Sequence, residues 1–240
     1  MNKLPEYQTA QFSEEDWTRI DSYFQAYTGV DPTNVPPKYV NYISPTRKIM
    51  QEEADVGVKY GWVKVKGKTE KEIILEDGQK LTSEIISKAY KDAEQIFFFV
   101  SSVRNIEQLL AAHPETMEHF FLEYWAVSLF GVVKEKIKKR LDEELSGSGW
   151  KRTSVWSPGQ SQFSLNNQTV LFEVLKPEPE GIYLDAHMRM IPLKSVSGTI
   201  GIVPEDAQIN MISCDYCSHA KTCPGYNGTK FKNEKNRRLT

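Results

Sequence analysis

Apolar positions recur every three to four residues in some stretches of this chain and every second residue in others. Ser13-Glu14-Glu15-Asp16 opens the first helical stretch. A serine hydroxyl there accepts from free helix amides, and a carboxylate three residues on reaches back to the cap. Trp17, Ile20, Phe24 and Tyr27 follow at helical spacing, and Gly29 supplies a stop. Residues 31–38 are Pro-rich and predict a connector. Ser44-Pro45 predicts the opening of a second helix, with proline at the first position, where no amide bond is lost. Trp62-Val63-Lys64-Val65-Lys66 alternates and predicts a strand. Ile73-Ile74-Leu75 predicts another, closed by the turn Glu76-Asp77-Gly78. Thr82 or Ser83 caps a short helix carrying Ile85, Ile86 and Tyr90.

Ile96-Phe97-Phe98-Phe99-Val100 is continuously apolar and rich in β-formers, the signature of a central strand buried on both faces. Residues 120–133 are nearly all apolar, with Glu123 as the interruption, and run on into a charged amphipathic stretch to 145. They predict one long helix, buried all round in its first half and ended by Ser146-Gly147-Ser148-Gly149. A helix over 165–175 and strands near 182–190 and 196–203 complete the pattern. Helices and strands mix without a strict βαβ rhythm, which predicts an α+β fold. The expected organisation is a helical arm over 1–38, an α+β domain over 39–213 and a Cys-containing basic tail over 214–240.

Two short motifs break the periodic pattern. One is Ser157-Pro158-Gly159. The other is Met190-Ile191-Pro192-Leu193-Lys194-Ser195-Val196-Ser197-Gly198. Proline fixes φ and removes a donor, while glycine allows φ > 0 and close approach by a ligand. Ser195, Ser197 and Gly198 are small, so they are expected to leave backbone amides accessible. The helix between the motifs is short enough to return the chain to the same sheet edge, so they are expected side by side.

A net charge of −2 gives no global argument for nucleic acid, and the basic tail over 230–238 reads as a solvated terminus. No apolar run reaches the ~18 residues of a membrane span. The first residues lack the apolar core of a signal peptide, so a cytoplasmic protein is expected, with no nucleic-acid or membrane partner. All 3 cysteines lie near the C-terminus, unlike a secreted disulfide framework. Cys214 and Cys217 form a C-x2-C pair, and His219 and Cys223 follow within reach. Such a set suits a Cys3His zinc site, or an iron–sulfur cluster with an outside fourth ligand. Free thiols and a local disulfide remain alternatives. His113, His119 and His187 read as structural. Glu123, in an apolar helix, is expected to have a partner or face a cleft. No G-x-S-x-G, H-E-x-x-H, P-loop or G-x-G-x-x-G string is present.

The two motifs and the tail, in this order, resemble the activation domain of cobalamin-dependent methionine synthase, particularly its stand-alone form. The family pattern is R-x-S-P-G-Y, then Gln with L-F-x-L-L, then M-I-P-x-K-S-V-S-G-I-I-G-I, then a C-x2-C tail ending near C-P-Y-R. This chain matches with Ser157-Pro158-Gly159, Gln168, Leu171-Phe172-Glu173-Val174-Leu175, the second motif continued through Ile202, and Cys214, Cys217 and Cys223-Pro224. The resemblance implies an antiparallel sheet flanked by helices. It implies docking on a corrinoid-binding protein or methionine synthase, and presentation of S-adenosylmethionine for reductive remethylation of the partner's cobalamin. Carried over by position, the binding residues are Ser157, Pro158, Gly159, Gln160, Met190, Pro192, Lys194 and Ser195.

Three positions depart from the pattern, one of them near Gly131, where the family has an acidic residue in its long helix. The arginine that meets the S-adenosylmethionine carboxylate falls at Val155, and the tyrosine after the Ser-Pro-Gly step falls at Gln160. Strand alternation is expected to turn Arg152 away from Val155. Two functions follow. One is an S-adenosylmethionine-dependent reactivation subunit. The other is a non-catalytic accessory module that docks on a corrinoid protein without the methyl donor and carries a metal or redox tail.

Overall fold

The computed structural model describes residues 5–209 and 211–217. Strand β5 (Gln95–Val103) lies at its centre, as the apolar run predicts, and alternates between two packed layers. Phe97 and Phe99 enter one apolar cluster, while Ile96, Phe98 and Val100 enter the other. β5 pairs antiparallel with β2 (Val56–Lys68) on one side and β9 (Ser195–Pro204) on the other. The sheet extends through β3 (Glu72–Leu75) and β4 (Lys80–Thr82) at one edge and β6 (Trp150–Arg152) at the other. β1 (Glu6–Thr9) pairs with the first part of β2, beyond the stretch that pairs with β3. A separate hairpin joins β7 (Tyr183–Leu184) and β8 (Met190–Ile191).

One face of the sheet is covered by α1 (Glu14–Thr28), α2 (Val40–Glu53) and α5 (Thr116–Leu145), with α4 (Ile106–Ala112) beside them. The other face carries α3 (Glu84–Ala89) and α6 (Gln168–Leu175). The result is a mixed α+β fold with an antiparallel sheet flanked by helices. No described helix is long and apolar enough to cross a membrane.

The capping box of α1 forms as predicted. Ser13 Oγ accepts from Asp16 N, and the Asp16 carboxylate accepts from Ser13 N. Trp125 of α5 is fully buried, stacks on Phe24 of α1 at 3.7 Å, and donates from Nε1 to Thr46 Oγ1 of α2 at 3.2 Å. That one side chain ties all three helices of the layer. Ser83, rather than Thr82, caps α3 through its hydroxyl.

Several expectations need correction. α2 begins at Val40, five residues before Pro45, because a 3-10 turn over Pro37–Tyr39 leads straight into it. Pro45 therefore sits inside the helix, where it leaves the carbonyl four residues back without an intrahelical amide. The single strand expected over 182–190 is two short strands about a tip, because Asp185 turns the chain by accepting from His187 N and Arg189 N. The first half of α5 is not buried all round: Phe120 is 42% exposed, and Glu123 faces outward to an ion pair.

Candidate functional site

Edge strand β6 brings the first motif to the second. Arg152 lies opposite Ile202 of β9, and four residues later Trp156 lies opposite Thr199. Four residues on one side thus span three on the other, so one extra residue is accommodated between the two pairs. The extra residue resets the alternation of faces. Arg152 reaches α5, donating from Nη2 to Asp142 Oδ2 at 2.8 Å and from Nε to the Lys138 carbonyl at 3.3 Å. Val155 packs into the same α5-side cluster, while Trp156 enters the opposite one. The expectation that Arg152 and Val155 face apart is therefore overturned by the register slip.

The first motif is a tight turn over 157–160. Gln160 N donates to the Ser157 carbonyl, and Gly159, at φ +87°, donates to the Phe163 carbonyl at 2.7 Å. Pro158 is buried, whereas Gly159 and Gln160 are exposed. The two motifs are joined directly, because Ser157 Oγ donates to the Ser197 carbonyl at 2.7 Å. Ser197 Oγ in turn donates to Gln168 Oε1 of α6 at 2.7 Å. Gln168 thus belongs to this junction, and its place in the quoted pattern is the signal that could have marked it. Tyr90 was also missed as a contributor. Its hydroxyl donates to the Thr199 carbonyl at 2.8 Å, and full burial pushes its phenol above the usual range.

Only the front of the second motif is open. Met190 pairs with Leu184, Pro192 is buried behind a cis Ile191-Pro192 bond, and Leu193 is 62% exposed. Leu193 N donates to Glu107 Oε1 of α4 at 3.1 Å. Lys194 Nζ pairs with Glu123 Oε1 at 3.3 Å, which gives that helix carboxylate the partner it required. Ser195 Oγ contacts the Pro192 carbonyl at 2.6 Å and Ser102 Oγ at 2.9 Å. From Ser197 onward, the expectation of accessible small residues fails. Ser197 and Gly198 are buried, and both are registered against β5. The glycines of this strand make room for aromatic rings. A Cβ on Gly198 would stand 2.6 Å from Phe99, and one on Gly201 would stand 2.8 Å from Tyr90.

The cysteine turn lies beside the first motif. Cys214 sits in a 3-10 turn over Ser213–Tyr216, and Cys217 N donates to the Cys214 carbonyl at 3.3 Å. Ser154 Oγ donates to the Met211 carbonyl at 2.8 Å, and the Tyr216 ring lies 6.0 Å from the fully buried ring of Trp156. Trp156 Nε1 is a buried donor with no partner among the described residues. His219 and Cys223 lie outside the described residues. Within the described residues no group of three or more His, Cys, Asp or Glu could hold a metal. The other histidines hold local structure. His119 Nε2 contacts the Leu110 carbonyl at 2.6 Å, and His113 Nδ1 lies 3.6 Å from Glu118. His187 is exposed at the hairpin tip.

No protein-family model matches this sequence, and no curated protein matches it. Among solved structures, one similar to it is the crystal structure of the MetH reactivation domain bound to AdoHcy. The match has a TM-score of 0.57 at 13% identity and covers 90% of this chain and 84% of that chain. The chain shares that domain's fold. Coverage on both sides means that the likeness spans the sheet and both helical layers rather than one supersecondary unit.

The residues can be tested against S-adenosylmethionine, the donor that the motif resemblance implies. An exposed glycine turn is present, and so is an orphan buried donor next to it. Val155 supplies no cation for the donor's carboxylate. On the same face the register slip presents Arg152, held by Asp142. The donor set therefore fits in part.

Proposed function

We propose that this chain is a companion protein of a corrinoid methyltransferase. It docks on the partner's corrinoid-bearing domain and supports S-adenosylmethionine-dependent remethylation of cobalamin. The observation that carries the reading is the direct link between the two motifs, Ser157 Oγ to the Ser197 carbonyl at 2.7 Å, within a fold shared with the MetH reactivation domain. The motifs quoted for that family could have been scattered over the surface, and instead they form one junction. When bound, S-adenosylmethionine supplies the methyl group. The protein's own contribution is positioning. The 157–160 turn and the front of the second motif, with Leu193 exposed and Lys194 anchored on Glu123, orient what docks there.

Arg152 is the residue that decides between this reading and a second. A carboxylate anchored by a charge-assisted bidentate pair needs a guanidinium on the correct face. Arg152 stands on that face, and exchange of Asp142 for the donor's carboxylate makes it the anchor in place of Val155. If Arg152 keeps Asp142, the chain is an accessory module that docks without the methyl donor. Val155 at the family's arginine position favours that second reading.

Calorimetric titration with S-adenosylmethionine separates the two. Under the first reading the unmodified protein binds, and Arg152→Ala weakens binding by roughly tenfold, the loss of one charge-assisted pair. Under the second reading the unmodified protein does not bind, while Val155→Arg gains affinity. Both readings require association with a cobalamin-loaded corrinoid protein, measured by gel filtration and a change in the cobalamin absorption spectrum. Absence of binding to both the donor and the corrinoid protein would refute the proposal.

A further inference from the structure

Where edge strand β6 runs into the first motif, one ladder bond to β9 is made by a side chain instead of the backbone. Thr153 faces Gly201, one position beyond the Arg152–Ile202 pair. In an antiparallel ladder, two residues paired in this way exchange both N–H···O bonds. Thr153 N does donate to the Gly201 carbonyl, at 2.8 Å. Gly201 N, however, donates to Thr153 Oγ1 at 2.9 Å rather than to the Thr153 carbonyl. The hydroxyl stands in for the carbonyl of its own residue. That carbonyl instead takes a long contact from Arg152 Nη1 at 3.4 Å.

The full ladder resumes at Trp156 and Thr199, which exchange both bonds, at 3.0 and 2.8 Å. Between the two pairs stand Ser154 and Val155 on one strand and Ile200 alone on the other. The one-residue slip is therefore confined to the two residues after Thr153. The chemistry of a hydroxyl suits its start, because a hydroxyl accepts and donates at once. Thr153 Oγ1 accepts from Gly201 N and donates to the Ser154 carbonyl at 3.2 Å. Thr153 is 3% exposed, and the Tyr90 ring closes over Gly201 from the end of α3. Without the hydroxyl, the Gly201 amide would be left buried and unpaired.

The two ends of the slip are not equally free. Trp156 is fully buried, whereas the side chain of Arg152 is 24% exposed. In a regular ladder, residues an even number apart share one face. If the slip relaxes, Trp156 keeps its place in the core, and Arg152 must turn to the α6 side, away from Asp142 and Val155.

We infer that Thr153 is a positioning residue for Arg152. Its hydroxyl locks the slip that keeps the guanidinium on the face of Val155. This assignment rests on the reading in which Arg152 meets the carboxylate of S-adenosylmethionine. The side of the sheet that offers the anchor is then set by a group that itself binds only backbone.

Thr153→Val removes the hydroxyl at nearly constant shape, and Thr153→Ser keeps it. Three measurements on the full chain test the assignment: hydrogen exchange of the Gly201 amide, the Arg152 Nε–H resonance, and calorimetric titration with S-adenosylmethionine. Thr153→Val is expected to speed exchange at Gly201 by about tenfold or more and to shift the Arg152 resonance. It is expected to weaken S-adenosylmethionine by about tenfold, as Arg152→Ala does, with no further loss when the two are combined. Thr153→Ser is expected to behave as the unmodified chain in all three. Thr153→Ala carries the test should the valine variant fail to fold. If the unmodified chain does not bind S-adenosylmethionine, the anchoring reading falls, and the Arg152 resonance alone decides the positioning. An Arg152 resonance unmoved by loss of the hydroxyl, as for a merely structural threonine, would overturn the inference. So would a serine variant that behaves like the valine one.

Discussion

Gly198 shows how a residue that reads as ligand-facing becomes a packing device. Its position in a small-residue motif suggests bare, accessible backbone. In the fold, Phe99 occupies the space where its side chain would be. A Cβ there would lie 2.6 Å from Phe99 Cε1 and 3.0 Å from Val155 Cγ1. Phe99 is fully buried and cannot swing into solvent. Gly198→Ala is therefore expected to destabilise the protein by about 1–3 kcal/mol, the usual cost of overpacking a filled core. Urea denaturation with an unchanged m-value checks this. A change below about 0.5 kcal/mol would mean that the ring shifts without strain.

At the scale of elements, side chains complete what short strands leave open. β4 is an edge strand of 3 residues, so among the described residues Thr82 has no strand neighbour on its outer side. Asn167, at the start of α6, acts as that neighbour. Its Oδ1 accepts from Thr82 N at 2.7 Å, and its Nδ2 donates to the Thr82 carbonyl at 3.2 Å and to the Ser164 carbonyl at 3.0 Å. Asn167 is only 5% exposed, so water cannot easily take its place. Asn167→Ala is expected to cost about 0.5–1.5 kcal/mol by removing the hydrogen bonds that Asn167 makes to the edge-strand backbone of Thr82. It should also speed hydrogen exchange at the Thr82 amide. Unchanged exchange there would show that the edge is held by other contacts. The same scale explains the reversal at Arg152. One extra residue between paired positions turns a side chain to the other face, and no local propensity records it.

For the whole molecule, the N-terminal segment is built into the sheet and the helical layer. β1 pairs with β2, and Trp17 and Phe24 of α1 pack on Trp125 of α5. Lys136 Nζ meets Asp16 Oδ2 at 2.6 Å, and Tyr23 donates to Glu135 at 2.8 Å. We expect residues 39–213 to behave as one unit with 1–38 packed on it. Limited proteolysis is the test. A cut within 146–149 should leave the two fragments associated, because β6, just after it, pairs with β9, and β9 pairs with β5 from before the cut. Separation of two stable halves on gel filtration would contradict this.

The local pattern of the sequence determined the long helix α5, the central strand β5, the capping box at Ser13 and the α+β class, because each depends on apolar runs, cap residues or neighbours within a turn or a strand. The order of the two motifs also pointed to a junction. Other features depended on partners far away in the chain. β1 and β4 are too short and polar to signal themselves, and they exist because β2 and β3 offer open edges. Pro45 lies within a helix because the preceding 3-10 turn starts that helix early. Ser197 and Gly198 are buried because β5 pairs with β9 there and Ser157, Gln168, Phe99 and Val155 close around them. Arg152 shares a face with Val155 only through a register slip. The sequence supplied the two motifs and their order. The tertiary structure decided which of their residues meet, since side-chain direction in a sheet is set by pairing with strands distant in sequence.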